Sequence, residues 1–184
     1  RRPPPGGDLI LHCSACGAAL PGRPPLACPA CGAEHWRNAK PCAGALVMRD
    51  GRLLLLRRNT EPWLGSWDIP GGFCEAEEHP MACAAREARE ETGIAVEVTG
   101  WLGMWLDRYP SPDDPDHVMT LNAYYHAVAG AEVGEPDPHE TAEIGWFAPD
   151  DLPDVAFPHA PAVIAAWRAA LREGRTVTPL PDRP

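Results

Sequence analysis

Between Pro80 and Gly93 the chain reads PMACAAREAREETG, a run without an internal helix breaker. A proline suited to a first helical turn opens it, and a glycine suited to a C-terminal stop closes it. At about 100° per residue such a helix puts Glu87, Glu90 and Glu91 on one face, spaced i, i+3 and i+4. Like charges at that spacing destabilise a helix by a few tenths of a kcal/mol per pair, so the face calls for positive charge. Arg86, four residues before Glu90, neutralises one carboxylate, and a divalent cation held by the others would neutralise the rest. Met81, Ala84, Ala85 and Ala88 form a neighbouring apolar arc, so one side of the helix can pack while the acids face a cleft. Taken alone, the helix also reads as a plain solvated acidic face.

The surrounding pattern is alternating strand and helix. CAGALVM and RLLLLRR flank Asp50-Gly51, a hairpin-turn dipeptide. GSWDIPGGF reads as a loop broken at Pro70-Gly71-Gly72. IAVEVTGWLGMWL reads as a strand, SPDDPD as a loop, HVMTLNAYYHAV and EIGWFA as further strands. Val163, Ile164, Trp167 and Leu171 recur at helical spacing in a second helix that ends near Gly174. The Pro-rich ends, residues 1–10 and 175–184, are expected to be flexible tails. No apolar run approaches the ~20 residues of a membrane helix and no signal peptide is visible, which predicts a cytoplasmic protein without a membrane partner.

The acidic helix belongs to a longer pattern. Gly72 is followed after five residues by Glu78, and Glu78 after seven by Arg86, which opens REAREETGI. This resembles the Nudix box, G-x5-E-x7-R-E-U-x-E-E-x-G-U with U apolar. Gly72, Glu78, Arg86, Glu87, Glu90, Glu91 and Gly93 fill the fixed positions, and Ala88 and Ile94 the apolar ones. IPGGF before the box and EIGWFAPDDLP after it are similar to further landmarks of the family, so the likeness covers about 110 residues. It implies an α/β (α+β) Nudix fold over residues 42–174, with a mixed sheet between helices. It also implies a metal-dependent hydrolase that cleaves the diphosphate linkage of a nucleoside diphosphate joined to another moiety, using Mg²⁺ or Mn²⁺. By carry-over, Glu87 and Glu91 are direct metal ligands, and Glu90 is a ligand or a partner of Arg86. Gly72 brings backbone near the metal, and Glu78 and Arg86 hold loop and helix together. The general base lies in the box or on a later loop, where Glu140 and Glu143 are candidates. Carboxylates suit this chemistry on their own account, since hard divalent cations prefer oxygen ligands, bridge phosphate oxygens and activate water.

Ahead of this region, residues 11–35 carry Cys13, Cys16, Cys28 and Cys31 as two C-x-x-C pairs, each followed by Gly. Two such turns supply four thiolates for a tetrahedral Zn²⁺ site with no open position, a structural metal. The unit resembles a zinc ribbon; a redox C-x-x-C or disulfides are the alternatives, and His12 and His35 are possible but unneeded ligands. Cys42, Cys74 and Cys83 are expected to serve as small hydrophobes in or near the core.

A ribbon before a Nudix domain is similar to the NADH pyrophosphatase group, yet the SQPWPFPxS stretch of that group is absent after Ile94. Pro110, sixteen residues after Ile94, matches a pattern of ADP-ribose pyrophosphatases. The favoured substrate is therefore a small-molecule nucleoside diphosphate derivative of the ADP-ribose/NADH type or a nucleotide sugar. The alternatives are a nucleoside-triphosphate pyrophosphohydrolase that cleans the nucleotide pool and a non-catalytic nucleotide sensor. Arg57 and Arg58 are placed to meet phosphates, and Trp63 or Trp67 to stack on a base. With 16 Lys+Arg against 26 Asp+Glu the net charge is −10, which disfavours nucleic acid as a partner. The resemblance leaves a homodimer open. The acidic excess is concentrated: between Arg108 and Arg168 there is no Lys or Arg but eleven acids, from Asp113 to Asp154.

Overall fold

The structure is a computed structural model that describes residues 12–111 and 114–174. The expected tails lie outside the described residues. The chain divides into two compact units, Arg1–Lys40 with Arg108–Thr120, and Pro41–Asp107 with Leu121–Pro184.

The first unit holds the short antiparallel pair β1 (Leu26–Ala27) and β2 (Glu34–His35). The remaining elements follow as β3 (Lys40–Arg49), β4 (Arg52–Arg58), β5 (Trp67–Asp68), β6 (Gly71–Phe73), α1 (Pro80–Thr92), β7 (Ile94–Ser111), β8 (Asp114–Glu132), β9 (Thr141–Phe147) and α2 (Ala160–Arg172). The main sheet runs β5-β4-β3-β8-β7, with β6 paired to β3 and β9 to β4.

Asp50 and Gly51 both take positive φ, 52° and 74°, the geometry a tight β3–β4 hairpin demands. Side-chain alternation on these two strands builds a core on each face of the sheet. Ala43, Ala45, Val47 and Leu54 pack with Cys83, Ala84 and Ala88 of α1. Leu46, Leu53 and Leu55 pack with Val163, Ile164 and Trp167 of α2 on the other face. Leu53, Leu54, Leu55 and Leu56 are buried on both faces, which is why RLLLLRR reads as a continuous apolar run instead of an alternating one. Each buried Leu contributes roughly 2 kcal/mol of transfer free energy. The result is the expected mixed α+β fold with a large sheet between two helices.

Three local expectations need correction. GSWDIPGGF is not a plain loop: Trp67–Asp68 pairs with β4 and Gly71–Phe73 with β3, because Pro70 breaks the run only at its own position. The strand from Ile94 runs on to Ser111 and its partner starts at Asp114, so Ser111 and residues 114–116 of the expected SPDDPD loop belong to strands, while residues 112 and 113 lie outside the described residues. Glu143 sits in strand β9 and not in a loop, opposite Arg57. No helix among the described residues is long and apolar enough to cross a membrane.

Candidate functional site

Helix α1 starts on His79, whose Nδ1 accepts from the Met81 N–H, and stops at Gly93, whose φ is 70°. The stop is enforced twice. A left-handed backbone suits glycine, and a Cβ there would lie 2.2 Å from the Gly134 carbonyl oxygen. That carbonyl belongs to the segment leading to Glu140, and the same segment donates from Val133 and Gly134 to the Gly93 carbonyl. The box glycine thus docks the later acidic loop on the helix end.

The acidic face resolves into unequal carboxylates. Glu91 is buried, and its Oε2 accepts from the Gly71 N–H at 2.8 Å. Burial raises its carboxyl well above the usual range; the Gly71 N–H opposes the rise, and the charges of Asp68, Glu87 and Glu140 add to it. Glu87 is raised in the same way, by burial first, with Arg86 opposing and Glu90 and Glu140 adding. Its carboxylate lies against Gly72, where a Cβ would approach it to 2.6 Å. Glu90 is half-exposed and accepts from Arg86 Nη1 at 2.9 Å.

Arg86 organises this face. It forks onto Glu78, with Nε to Oε1 and Nη2 to Oε2 both at 2.8 Å, while Nη1 reaches Glu87 and Glu90 and Nη2 also donates to the Phe73 carbonyl. The fork holds the Glu78 carboxyl down at about 2. Glu91, buried and bound to a backbone N–H, and Glu87, partly buried and shared with Arg86, are both raised chiefly by burial and place carboxylate oxygens side by side as an oxygen donor set. The site fits a hard divalent ion.

Other expected residues are distributed unequally. Glu140 is exposed at the end of the acidic segment, and its charge bears on both Glu87 and Glu91. Its carbonyl accepts from the Asn59 N–H, and Asn59 Nδ2 donates to the Pro138 carbonyl, so the segment is pinned to the end of β4. Glu143 instead faces Arg57 at 3.6 Å. Arg57 is half-exposed and donates to the Gly65 carbonyl. Arg58 is committed elsewhere: largely buried, it pairs with Asp68 at 2.9 Å and donates to the Pro62 carbonyl. Trp67 packs edge-on against Phe147, 4.8 Å between centroids, in the core beside α2.

Residues without a sequence signal of their own complete this region. Asp68 is buried under Arg58, and burial raises its carboxyl to about 7 against the pull of Arg58 and the Ile69 N–H. A lone acid between Trp67 and Ile69, in a strand facing β4, was the available hint. Tyr124, His159 and Asp107 form a buried chain, with the Tyr124 hydroxyl 2.7 Å from His159 Nε2 and His159 Nδ1 on Asp107. These three are far apart in the chain, and no spacing rule links them.

In the first unit the cysteine region is built from two like turns. Cys13 N–H donates to the Ala18 carbonyl and Gly17 N–H to the Cys13 carbonyl; Cys28 with Ala33, and Gly32 with Cys28, repeat both bonds. Gly17 and Gly32 take φ of 74° and 76°. All four sulfurs lie within 4.8 Å of one another, with Cys13–Cys31 at 3.6 Å and Cys16–Cys28 at 3.7 Å. A tetrahedral set at a Zn–S distance of ~2.3 Å has sulfurs about 3.8 Å apart, so the cluster fits zinc. His35 is not in the set; its Nε2 lies 3.3 Å from Cys13 Sγ. Cys42 and Cys83 are buried and Cys74 is partly so.

A family model described as NUDIX domain matches residues 39–173. The NAD-capped RNA hydrolase NudC of Stutzerimonas stutzeri is 34% identical over 145 residues, 77% of this chain and 49% of that protein. The ADP-ribose pyrophosphatase of Methanocaldococcus jannaschii is 35% identical over 116 residues, 62% of this chain and 64% of that protein. A NUDIX hydrolase structure from Nitrosomonas europaea matches with a TM-score of 0.71 at 24% identity, covering 92% of this chain and 95% of that one, a likeness of fold. The chain spans about half the length of the NudC relative and under two thirds of the pyrophosphatase.

Proposed function

The chain belongs to the Nudix family, and from that premise we propose that it is a metal-dependent pyrophosphohydrolase acting on a nucleoside diphosphate joined to another group, of the ADP-ribose/NADH type. The observation that carries this reading is the meeting of Glu87 and Glu91 at Gly71 and Gly72 of β6, with the charge of Glu140 bearing on both. Glu87 and Glu91 would hold Mg²⁺ or Mn²⁺, which when bound would neutralise phosphate charge and activate water.

The chain's own residues do the rest. Gly71 N–H fixes one oxygen of Glu91 and leaves the other for the ion. Gly72 leaves room for the Glu87 carboxylate beside the backbone. Arg86 holds Glu90 and Glu78 so that Glu90 supports the ligands at the exposed edge. Glu140, exposed and with its charge bearing on both Glu87 and Glu91, takes the proton of the attacking water; it is favoured over Glu143 because Glu143 is engaged with Arg57. The four cysteines hold Zn²⁺ as a closed structural site in a ribbon over residues 11–35, ahead of the hydrolase region 42–174.

The substrate class rests on two supports, the ribbon ahead of the Nudix region and the ADP-ribose pyrophosphatase among the relatives. A panel of ADP-ribose, NADH, NAD⁺, diadenosine polyphosphates and dNTPs, with Mg²⁺ or Mn²⁺ and products identified, tests it. AMP released from ADP-ribose or NADH supports the reading. Pyrophosphate released from dNTPs alone would replace it with nucleotide-pool cleaning.

A further inference from the structure

We propose that a cavity of about 390 Å³ lined by Trp63, Ser66, Asp154 and Phe157 is the subsite for the nucleobase of the substrate, favouring a base with an exocyclic amino group. This rests on the pyrophosphohydrolase reading above and adds what that reading leaves open, the group that selects among nucleoside diphosphates. The volume falls within the ~300–1,000 Å³ of small-molecule sites.

Two observations make this a built site instead of a surface dent. Trp63 and Phe157 come from separate loops, yet their rings meet at 4.4 Å between centroids, and both residues hold positive φ, 61° and 73°. A left-handed backbone is costly for bulky side chains and persists only where the surroundings impose it, commonly at ligand clamps. Here the surroundings are visible. Arg58 donates to the Pro62 carbonyl beside Trp63, lies 5.2 Å over the Phe157 ring, and is itself held by Asp68. Two residues after Phe157, His159 is locked between Asp107 and the Tyr124 hydroxyl. Thus the arginine expected to meet phosphates and the unassigned Tyr–His–Asp chain share one task, fixing the two aromatic walls.

The lining chemistry selects the occupant. Aromatic faces bind planar rings, and no cation lines the cavity, so it does not suit the diphosphate. The Asp154 carboxylate accepts from an amino group, as on adenine, and repels the two carbonyl oxygens that flank the ring N–H of uracil. The Ala156 N–H donates to the Trp67 carbonyl beside this cavity, and Gly71, four residues further on, donates its N–H to Glu91, so the segment from Trp67 to Gly71 runs from the cavity to the carboxylate site.

AMP, UMP and ribose 5-phosphate test the subsite without any bond being cleaved, by equilibrium titration of the whole chain without added Mg²⁺. AMP is expected to bind more tightly than UMP. Trp63→Leu should weaken AMP at least tenfold while ribose 5-phosphate binding stays unchanged. Asp154→Ala, at an exposed position that leaves folding intact, should bring the AMP and UMP affinities together. No AMP binding to the wild type, or Trp63→Leu weakening ribose 5-phosphate as much as AMP, overturns the subsite. So does an AMP-over-UMP preference that survives Asp154→Ala. Turnover separates the two readings: AMP bound through Trp63 with no diphosphate hydrolysed sinks the activity and keeps the subsite, whereas ADP-ribose hydrolysed with KM unchanged in Trp63→Leu does the reverse.

Discussion

Glu91 combines two properties that rarely coexist in a structural residue, deep burial and no cationic partner in hydrogen-bond reach among the bonds described. Among the described residues its Oε2 accepts from the Gly71 N–H, and neighbouring carboxylates raise its proton affinity further. Glu91→Gln keeps an oxygen for that N–H and removes the buried charge. Turnover should fall about 10³-fold or more, since loss of a metal ligand removes several kcal/mol of charge stabilisation. The melting temperature without added Mg²⁺ should hold or rise. Near-normal turnover in that variant sinks the ligand assignment. Gly72→Ala acts on the same geometry from the other side. The new Cβ, 2.6 Å from the Glu87 carboxylate, pushes a movable side chain and not the fold. Activity should drop at least tenfold with little change in thermal melting, and equal losses in both would show that Gly72 is a folding residue first.

The element that gathers these residues is α1 with its two flanking connections, and each end can be perturbed separately. At the C-terminus, Gly93→Ala meets both the left-handed φ and the Gly134 carbonyl, so urea denaturation should show a loss of about 1–3 kcal/mol; a loss within error would mean that the loop simply shifts. At the other end the Arg86 fork clasps Glu78. Because the fork holds the Glu78 carboxyl at about 2, below its ordinary 4.5, the folded state gives up that proton more readily than the unfolded chain. The stabilisation is therefore complete above about pH 4.5 and fades as pH falls toward 2. Wild type should melt above Glu78→Gln near about pH 6, and the gap should narrow near about pH 3; a gap that ignores pH would remove the clasp from the account. Much of this element was legible beforehand. Pro80 and Gly93 marked the ends of α1, and spacing alone put Glu87, Glu90 and Glu91 on one face. What escaped were pairings made across the sheet. Nothing local in RLLLLRR says that Arg58 turns inward to a buried Asp68 while Arg57 stays outside, because that depends on the β4–β5 register. Glu143 likewise looked like a loop acid until pairing with β4 put it opposite Arg57. The Tyr124–His159–Asp107 chain joins β8, the N-cap of α2 and β7 through the fold alone.

Across the whole molecule the chain carries two sets of candidate metal ligands of opposite chemical character. Thiolates at Cys13, Cys16, Cys28 and Cys31 favour a borderline-soft ion and close its coordination shell, whereas Glu87 and Glu91 favour a hard ion that keeps water and substrate positions open. The acidic excess after the box sharpens the contrast. Glu140 adds its charge to that of the carboxylates, so the anionic diphosphate of the proposed reaction would approach favourably only once a cation has reversed the local field. The two sets should therefore respond to different reagents. Protein purified under reducing conditions should carry about one zinc per chain, as four thiolates complete one tetrahedral shell. A thiol-competing chelator should release it and make the four cysteines reactive, since a coordinating thiolate is masked until its metal leaves. Hydrolysis by the zinc-loaded protein should still be absent until Mg²⁺ or Mn²⁺ is added, because zinc held by four protein ligands has no position for water. Zinc content near zero would refute the ribbon, and turnover by zinc-loaded protein in rigorously magnesium- and manganese-free buffer would refute the division of labour between thiolates and carboxylates.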